Sequence, residues 1–292
     1  MTNAQQTPAA RGAPDRYAVV GQPVEHSRSP FIHARFAELT GQALDYARLP
    51  CPLDGFAAAI LALAASGARG CNVTLPFKFE AAALATSLTP RAALAQAVNT
   101  LSFDSLGRHG DNTDGAGLVR DIGSHAGVDL RGASLLLVGA GGAAAGVLGP
   151  LLEAGVSRLV VANRSPSRAS ALVQRHAALA SRHACDLSAA ALGEPGSGFD
   201  VVVNATAASL AGQGIPVPAS VLRRGTLAID MMYGPPARAF LDWAHTGGAE
   251  GRDGLGMLVE QAAEAFAAWR GVRPPTREVL AELRAAVRAE AA

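Results

Sequence analysis

Short apolar runs and longer amphipathic stretches alternate along most of this chain. Apolar runs at 17–21, 45–49, 70–74 and 98–103 predict strands, and 30–39, 53–65 and 113–123 predict helices between or after them. A second series follows. Segments 134–138, 158–162, 201–204 and 227–230 are nearly all apolar, the pattern of parallel strands buried on both faces. Helices are predicted at 142–153, 166–178 and 237–245. Two more are predicted at 255–269 and 276–289, with apolar spacing that suits packing onto another domain. Such alternation predicts βαβ units, right-handed crossovers and parallel sheets. A length of 292 residues suits two domains. Their boundaries are placed near Gly117–Leu118 and near Gly251.

Composition narrows the class. Hydrophobic residues make up 49% and charged residues 17%, enough to build packed cores. The net charge of +1 gives no electrostatic footprint for nucleic acid or an anionic membrane. No apolar run reaches the roughly 18 residues of a membrane span. The polar, Pro/Ala-rich residues 1–16 lack the apolar region of a signal peptide and read as a disordered tail. Cys51, Cys71 and Cys185 are scattered with no CxxC pair. That pattern predicts a reducing, cytoplasmic setting, with no disulfide framework and no metal site.

The cationic residues carry a sharper signal. Of 25 Lys and Arg residues only Lys78 is a lysine. A lysine retained in a chain otherwise committed to arginine points to a task that guanidinium cannot perform, and proton transfer is that task. The alternative is a solvated residue at a helix start. Lys78 closes the segment Asn72-Val73-Thr74-Leu75-Pro76-Phe77-Lys78, which ends a predicted strand with amide, hydroxyl and ammonium groups.

The strand at 134–138 runs into Gly139-Ala140-Gly141-Gly142-Ala143-Ala144, a GxGxxA turn at the head of a helix. Gly139 permits the tight turn, Gly141 lets backbone approach a pyrophosphate, and Ala144 lets helix pack on strand. The next strand ends in Asn163-Arg164-Ser165-Pro166-Ser167-Arg168, with no acid to hold a ribose 2′-hydroxyl. Arg164 and Arg168 beside Asn163 and Ser165 favour a 2′-phosphate, hence NADP over NAD.

Further polar clusters lie on predicted loops. His26-Ser27-Arg28-Ser29-Pro30 precedes a helix, so Ser27 and Ser29 can hold a carboxylate, or Ser29 can act as an ordinary helix cap. Asn99 is embedded in an apolar strand and needs partners, structural or ligand. Gly110-Asp111-Asn112-Thr113-Asp114-Gly115 reads as a turn and cap that also offers Asp114 to the lysine. Gln261 falls near a helix start. Together these groups suit a small polyhydroxylated acid.

In order, GxPxxHSxSPxxH, NVTxPFK, AVNT, GDNTDGxG, GAGGA, NRSxxR and DGxGMLxxQA resemble the shikimate dehydrogenase family, from Tyr17 to about Trp269. The resemblance implies an α/β fold of two domains with the catalytic cleft between them. One is an α/β substrate domain with a mostly parallel sheet, at 17–117 and completed by C-terminal helices at 251–292. The other is a Rossmann-type doubly wound NADP domain at 118–250. It implies NADP-dependent, reversible reduction of 3-dehydroshikimate to shikimate in aromatic amino-acid biosynthesis, by a monomer or homodimer with no nucleic-acid or membrane partner. Lys78 and Asp114 would be the catalytic pair. Ser27, Ser29, Thr74, Asn99, Tyr233 and Gln261 would bind substrate with them. Gly139 to Ala143, Asn163, Arg164, Ser165, Arg168, Thr206, Met231 and Gly254 would contact cofactor. Alternatives are a paralogue acting on quinate or an amino analogue, or a ligand-binding homologue without turnover. Two stretches depart from the family pattern: Ala207-Ala208-Ser209, where the family has Ser-x-Gly, and Arg238-Ala239, where it has Thr-Pro.

Overall fold

The computed structural model describes residues 13–207 and 216–291. Residues 1–12 of the expected tail, and Ala208 and Ser209, lie outside the described residues. The first half runs β1 (Asp15–Gly21), α1 (Ser29–Thr40), β2 (Leu44–Pro50), α2 (Phe56–Ala65), β3 (Gly70–Val73), α3 (Lys78–Leu84), β4 (Ser87–Leu88), α4 (Pro90–Ala95), β5 (Thr100–Asp104), β6 (Gly107–Asp111) and α5 (Asp114–Arg120). The second runs β7 (Ser134–Val138), α6 (Gly142–Glu153), β8 (Arg158–Asn163), α7 (Pro166–Arg182), β9 (Asp186–Ala191), β10 (Val201–Asn204), β11 (Leu227–Asp230), α8 (Arg238–Thr246) and β12 (Glu250–Arg252). Helices α9 (Leu255–Arg270) and α10 (Arg277–Ala291) close the chain.

The strands form two six-stranded sheets, ordered β2-β1-β3-β5-β6-β4 and β12-β11-β10-β7-β8-β9. Every pairing in the second sheet is parallel. Its central strands are apolar apart from their polar end residues because both faces are covered. Leu135 and Leu137 of β7 enter the core under α6 and α7, whereas Leu136 and Val138 enter the one under α8. That is the burial the all-apolar runs predict.

The first sheet is mixed. β5 pairs antiparallel with both β3 and β6, against the expectation of βαβ units throughout. The reason is local. Asp104 turns its carboxylate onto the backbone N–H of Leu106 (2.7 Å) and Gly107 (3.1 Å), closing a tight hairpin that needs no crossover helix. Other boundaries shift too. The helix expected from 53 begins at Phe56, because Pro52 to Gly55 form a turn. The helix expected over 113–123 ends at Arg120 and passes into one wide π-type turn, Asp121–His125.

The C-terminal helices return to the first sheet. Leu255, Val259, Ala263 and Phe266 of α9, and Val279, Leu280 and Leu283 of α10, share a core with Ile32 and Phe36 of α1. Between the two sheets lies α5, gripped on both sides. A β carbon on Gly115 would sit 2.7 Å from the Gly146 carbonyl of α6. One on Gly117 would sit 2.7 Å from the Gln261 backbone nitrogen and 2.8 Å from the Met257 carbonyl of α9. Glycine at both positions lets three helices pack backbone to backbone.

Gly117→Ala should therefore cost about 1–3 kcal/mol, the usual scale of overpacking. A β carbon on Gly123 would meet nothing within 4 Å, so Gly123→Ala should be neutral or stabilise by up to about 1 kcal/mol. Urea-unfolding midpoints compare the two, and equal midpoints would refute the close packing of α5.

Candidate active site

Lys78 is the first residue of α3, and Asp114 the first of α5. Phe77 anchors the turn before Lys78 by stacking on Phe56, with ring centres 4.8 Å apart. The Val98 N–H donates to the Lys78 carbonyl at 2.8 Å, tying α3 to the segment that carries Asn99. So placed, the Lys78 Nζ lies 2.5 Å from Asp114 Oδ2, with side chains only 12% and 7% exposed. The other carboxylate oxygen, Oδ1, accepts from Asn99 Nδ2 at 2.8 Å. Asn99 is itself oriented. Its Oδ1 accepts from the Thr113 backbone N–H (2.8 Å) and the Thr100 hydroxyl (2.9 Å), so its NH₂ must face Asp114 and Gln261. Asn72 Nδ2 donates to Thr100 Oγ1 (3.0 Å), and its Oδ1 accepts from the Tyr46 hydroxyl (2.7 Å). A buried polar network of this kind is rigid because its members are partnered. Asn72, buried and lining the cleft, joins the site although nothing in its sequence neighbourhood beyond opening the lysine segment marks it as a site residue.

Lys78, Asp114, Asn72 and Asn99 line a cleft of about 280 Å³ between the two sheets, with Thr100, Thr113 and Tyr46 supporting them from outside its wall. Ser27, Ser29, Thr74, Lys78, Asn99, Asp114, Tyr233 and Gln261 all face it, as do Ala143, Thr206, Met231 and Gly254. Ser29 is not a helix cap. Arg28 occupies the cap position of α1 without a capping bond from its own side chain, and Ser29 is the first helical residue, its backbone N–H donating to the Ser27 hydroxyl at 3.3 Å. The Ser27 and Ser29 hydroxyls lie 3.2 Å apart. Burial pushes the Tyr233 phenol above its ordinary value, partly offset by a hydrogen bond from the Arg28 backbone and the nearby Arg28 and Arg48 charges.

The remaining expected cofactor positions lie outside this cleft, along the β7 and β8 ends of the second sheet. Gly139 has φ +116°, open to glycine and strained for other residues. A β carbon on Gly141 would meet nothing within 4 Å, so this backbone faces open space at the start of the twelve-residue α6. No side chain caps α6, leaving its first N–H groups for an anion. Gly142 lies against Lys78, where a β carbon would come 3.2 Å from Lys78 Cβ. At the end of β8, Asn163 Nδ2 donates to the Ser165 carbonyl at 3.0 Å. Arg164 and Arg168 are exposed there, and neither forms an ion pair among the described residues. These residues fit a dinucleotide bearing a 2′-phosphate.

Known proteins agree with this arrangement. Residues 19–101 match a family described as "Shikimate dehydrogenase substrate binding domain". Residues 121–212 match "Shikimate / quinate 5-dehydrogenase", and 254–284 match "Shikimate 5'-dehydrogenase C-terminal domain". The chain is 72% identical over 285 residues to the shikimate dehydrogenase (NADP(+)) of Methylibium petroleiphilum, covering 96% of this chain and 97% of that one. The chain belongs to the shikimate dehydrogenase family. Among solved structures, an Ael1 enzyme from Pseudomonas putida superposes with TM-score 0.83 at 46% identity, covering 92% of this chain and 98% of that one. The Thermus thermophilus shikimate 5-dehydrogenase, solved with NADP(H) and shikimate, gives TM-score 0.81 at 33% identity, covering 93% and 99%. Of the two departures from the family pattern, Ala207 lines the cleft and is exposed. Arg238-Ala239 begins α8, where the retained Phe240 fills the core of the second sheet, away from the cleft.

A second polar cluster braces the site from behind, and its residues were not read as functional in the sequence. Arg91 of α4 grips Asp111 through Nε (2.7 Å) and Nη2 (2.5 Å), and reaches Glu264 of α9 through Nη1 (3.1 Å). It thus joins the strand end before Asp114 to the helix carrying Gln261. Burial pushes both carboxyls up. Hydrogen bonds from Arg91 and Thr89 to Asp111, and from Arg91 and Arg273 to Glu264, outweigh it and leave both below their ordinary values. A depressed folded value contributes stability above the unfolded value, about 4 for Asp and Glu, and loses it as pH falls through the folded value. Arg91→Met should cost about 1–3 kcal/mol near neutral pH, the scale of charged hydrogen bonds, and flatten the loss of stability below about pH 4. Urea unfolding at neutral and acid pH checks this; parallel losses in wild type and variant would contradict it.

Proposed function

We propose that this protein catalyses the NADP-dependent, reversible reduction of 3-dehydroshikimate to shikimate in aromatic amino-acid biosynthesis. The observation that carries the reading is the Lys78–Asp114 pair, 2.5 Å apart in a cleft that also holds Ser27 and Ser29. In this reading Ser27 and Ser29 donate to the substrate carboxylate, while Thr74, Asn99, Gln261 and Tyr233 orient ring hydroxyls. Lys78 exchanges a proton with the reacting oxygen, giving it up on reduction and taking it back on oxidation. Asp114 holds the Lys78 ammonium in place and balances its charge, and is itself held by Asn99. Most of the acceleration comes from fixing the reactants in a near-attack arrangement.

NADP, when bound, accepts or delivers the hydride. Gly139 to Ala143 would hold its pyrophosphate, and Asn163, Arg164, Ser165 and Arg168 its 2′-phosphate. Thr206, Met231 and Gly254 would lie at its nicotinamide end. Residues 17–117 with 251–292 would serve as the substrate half and 118–250 as the cofactor half, a division supported by the shared core of α1, α9 and α10 but shifted at its edges, because β1 already begins at Asp15 and β12 carries the cofactor sheet through Arg252. No helix among the described residues is long and apolar enough to cross a membrane. Cys51, Cys71 and Cys185 are buried free thiols, which suits action in the cytoplasm.

Two measurements test this. Lys78→Arg keeps the charge but cannot shed its proton, so kcat for shikimate oxidation should fall about 10²-fold or more with KM changed less. A variant within a few-fold of wild type would remove the lysine from proton transfer. For the cofactor, two charge-assisted arginine contacts imply a preference for NADP over NAD on the order of 10²-fold or more. Replacing Arg164 and Arg168 together by Ala should erase most of it by weakening NADP, leaving NAD kinetics nearly unchanged. A wild-type enzyme that uses NAD as readily would contradict the assignment.

A further inference from the structure

The carboxylate end of the cleft holds two neutral hydroxyls, yet the anion assigned to it carries a full charge. Two cations lie close enough to act on the phenol of Tyr233, which lines the same end: Arg28 and Arg48. They differ in what they already hold. Arg28 is committed, with both terminal nitrogens bonded to the Glu290 carboxylate of α10. Arg48 forms no ion pair with any described acid. It lies on β2 two residues after Tyr46, hence on the same strand face. There its Nε and Nη2 both donate to the Ser27 carbonyl, at 3.0 and 2.7 Å. Glu25, the one acid in the connection between β1 and α1, accepts from the Val24 backbone N–H at 2.9 Å. The positive charge of Arg48 is therefore left uncompensated beside the serine pair.

We propose that Arg48 is a specificity-determining residue of the reaction, supplying the charge that selects a carboxylate at Ser27 and Ser29 while its planar fork holds the Ser27 backbone. This rests on the reading of the two serines as the carboxylate site. The guanidinium is exposed, so it acts as a screened charge. A neutral carbonyl engages only part of its hydrogen-bonding capacity, which leaves it free to attract an incoming anion.

The test compares wild type, Arg48→Met and Arg48→Lys on shikimate and on its uncharged methyl ester. Arg48→Met should raise the shikimate KM about three- to ten-fold, between the worth of an exposed ion pair and that of a charge-assisted hydrogen bond. Its kcat should change less than about two-fold, as for lost uniform binding. Added salt should weaken kcat/KM for shikimate in wild type and have a smaller effect in Arg48→Met. Arg48→Lys, which keeps the charge and loses the fork, should retain most of the affinity for the acid. The ester KM should be alike in all three. An unchanged shikimate KM in Arg48→Met overturns the assignment. So does an equal rise for acid and ester, because Arg48 would then act only by holding Ser27 in shape. A wild-type enzyme inactive on shikimate overturns the functional reading with it, whereas an active wild type with an indifferent Arg48→Met overturns this assignment alone.

Discussion

An ammonium and a carboxylate 2.5 Å apart in a half-closed cleft must be held there by other groups, and the architecture around Lys78 and Asp114 follows from that need. Desolvating two charges is costly unless their remaining bonding capacity is met. Asp114 meets it by accepting from Asn99, and Asn99 is fixed in turn by the Thr113 backbone and the Thr100 hydroxyl. Each bond sets the direction of the next, so the pair inherits its geometry from strands β3 and β5 rather than from its own flexible side chains.

The same need explains the packing of α5. Asp114 heads this helix, so a shift of α5 would move the carboxylate from the lysine. Two glycines bring the helix into backbone contact with α6, which carries the cofactor turn, and α9, which carries Gln261. Arg91 clamps the strand end before Asp114 to α9 from the other side. Gly142 of the cofactor turn rests against Lys78 itself. Proton-transfer pair, substrate wall and dinucleotide turn thus share one rigid junction.

The strands legible in the sequence are those whose environment leaves a one-dimensional trace. Strands at 134–138, 201–204 and 227–230 are apolar because both faces are covered, and their predicted ends match the structure residue for residue. β6, Gly-Arg-His-Gly-Asp, has no apolar residue and is held by its hairpin with β5, so no hydrophobic pattern could reveal it. β9 lies at a sheet edge, where alternation is weak, and β12 has only three residues. The residues around the cleft were legible because they are polar groups at the ends of apolar strands or within apolar stretches, as Thr74, Asn99 and Gln261 are, or on loops, as Ser27 is. Gln261, expected near a helix start, sits seven residues into α9. Arg48 and Arg91 were not legible. Arginines are common in this chain, and the meaning of these two comes from partners distant in sequence, Ser27 and Glu264. Ser29 could be read either way until its place as the first residue of α1, with no capping bond, removed the capping alternative.

A crystal structure of the protein with shikimate bound tests the site most directly. The substrate carboxylate is expected between the Ser27 and Ser29 hydroxyls, with one ring oxygen within hydrogen-bonding distance of both Lys78 Nζ and an Asp114 carboxylate oxygen. A shikimate bound the other way round, with its carboxylate on Lys78, or bound outside this cleft, would contradict it.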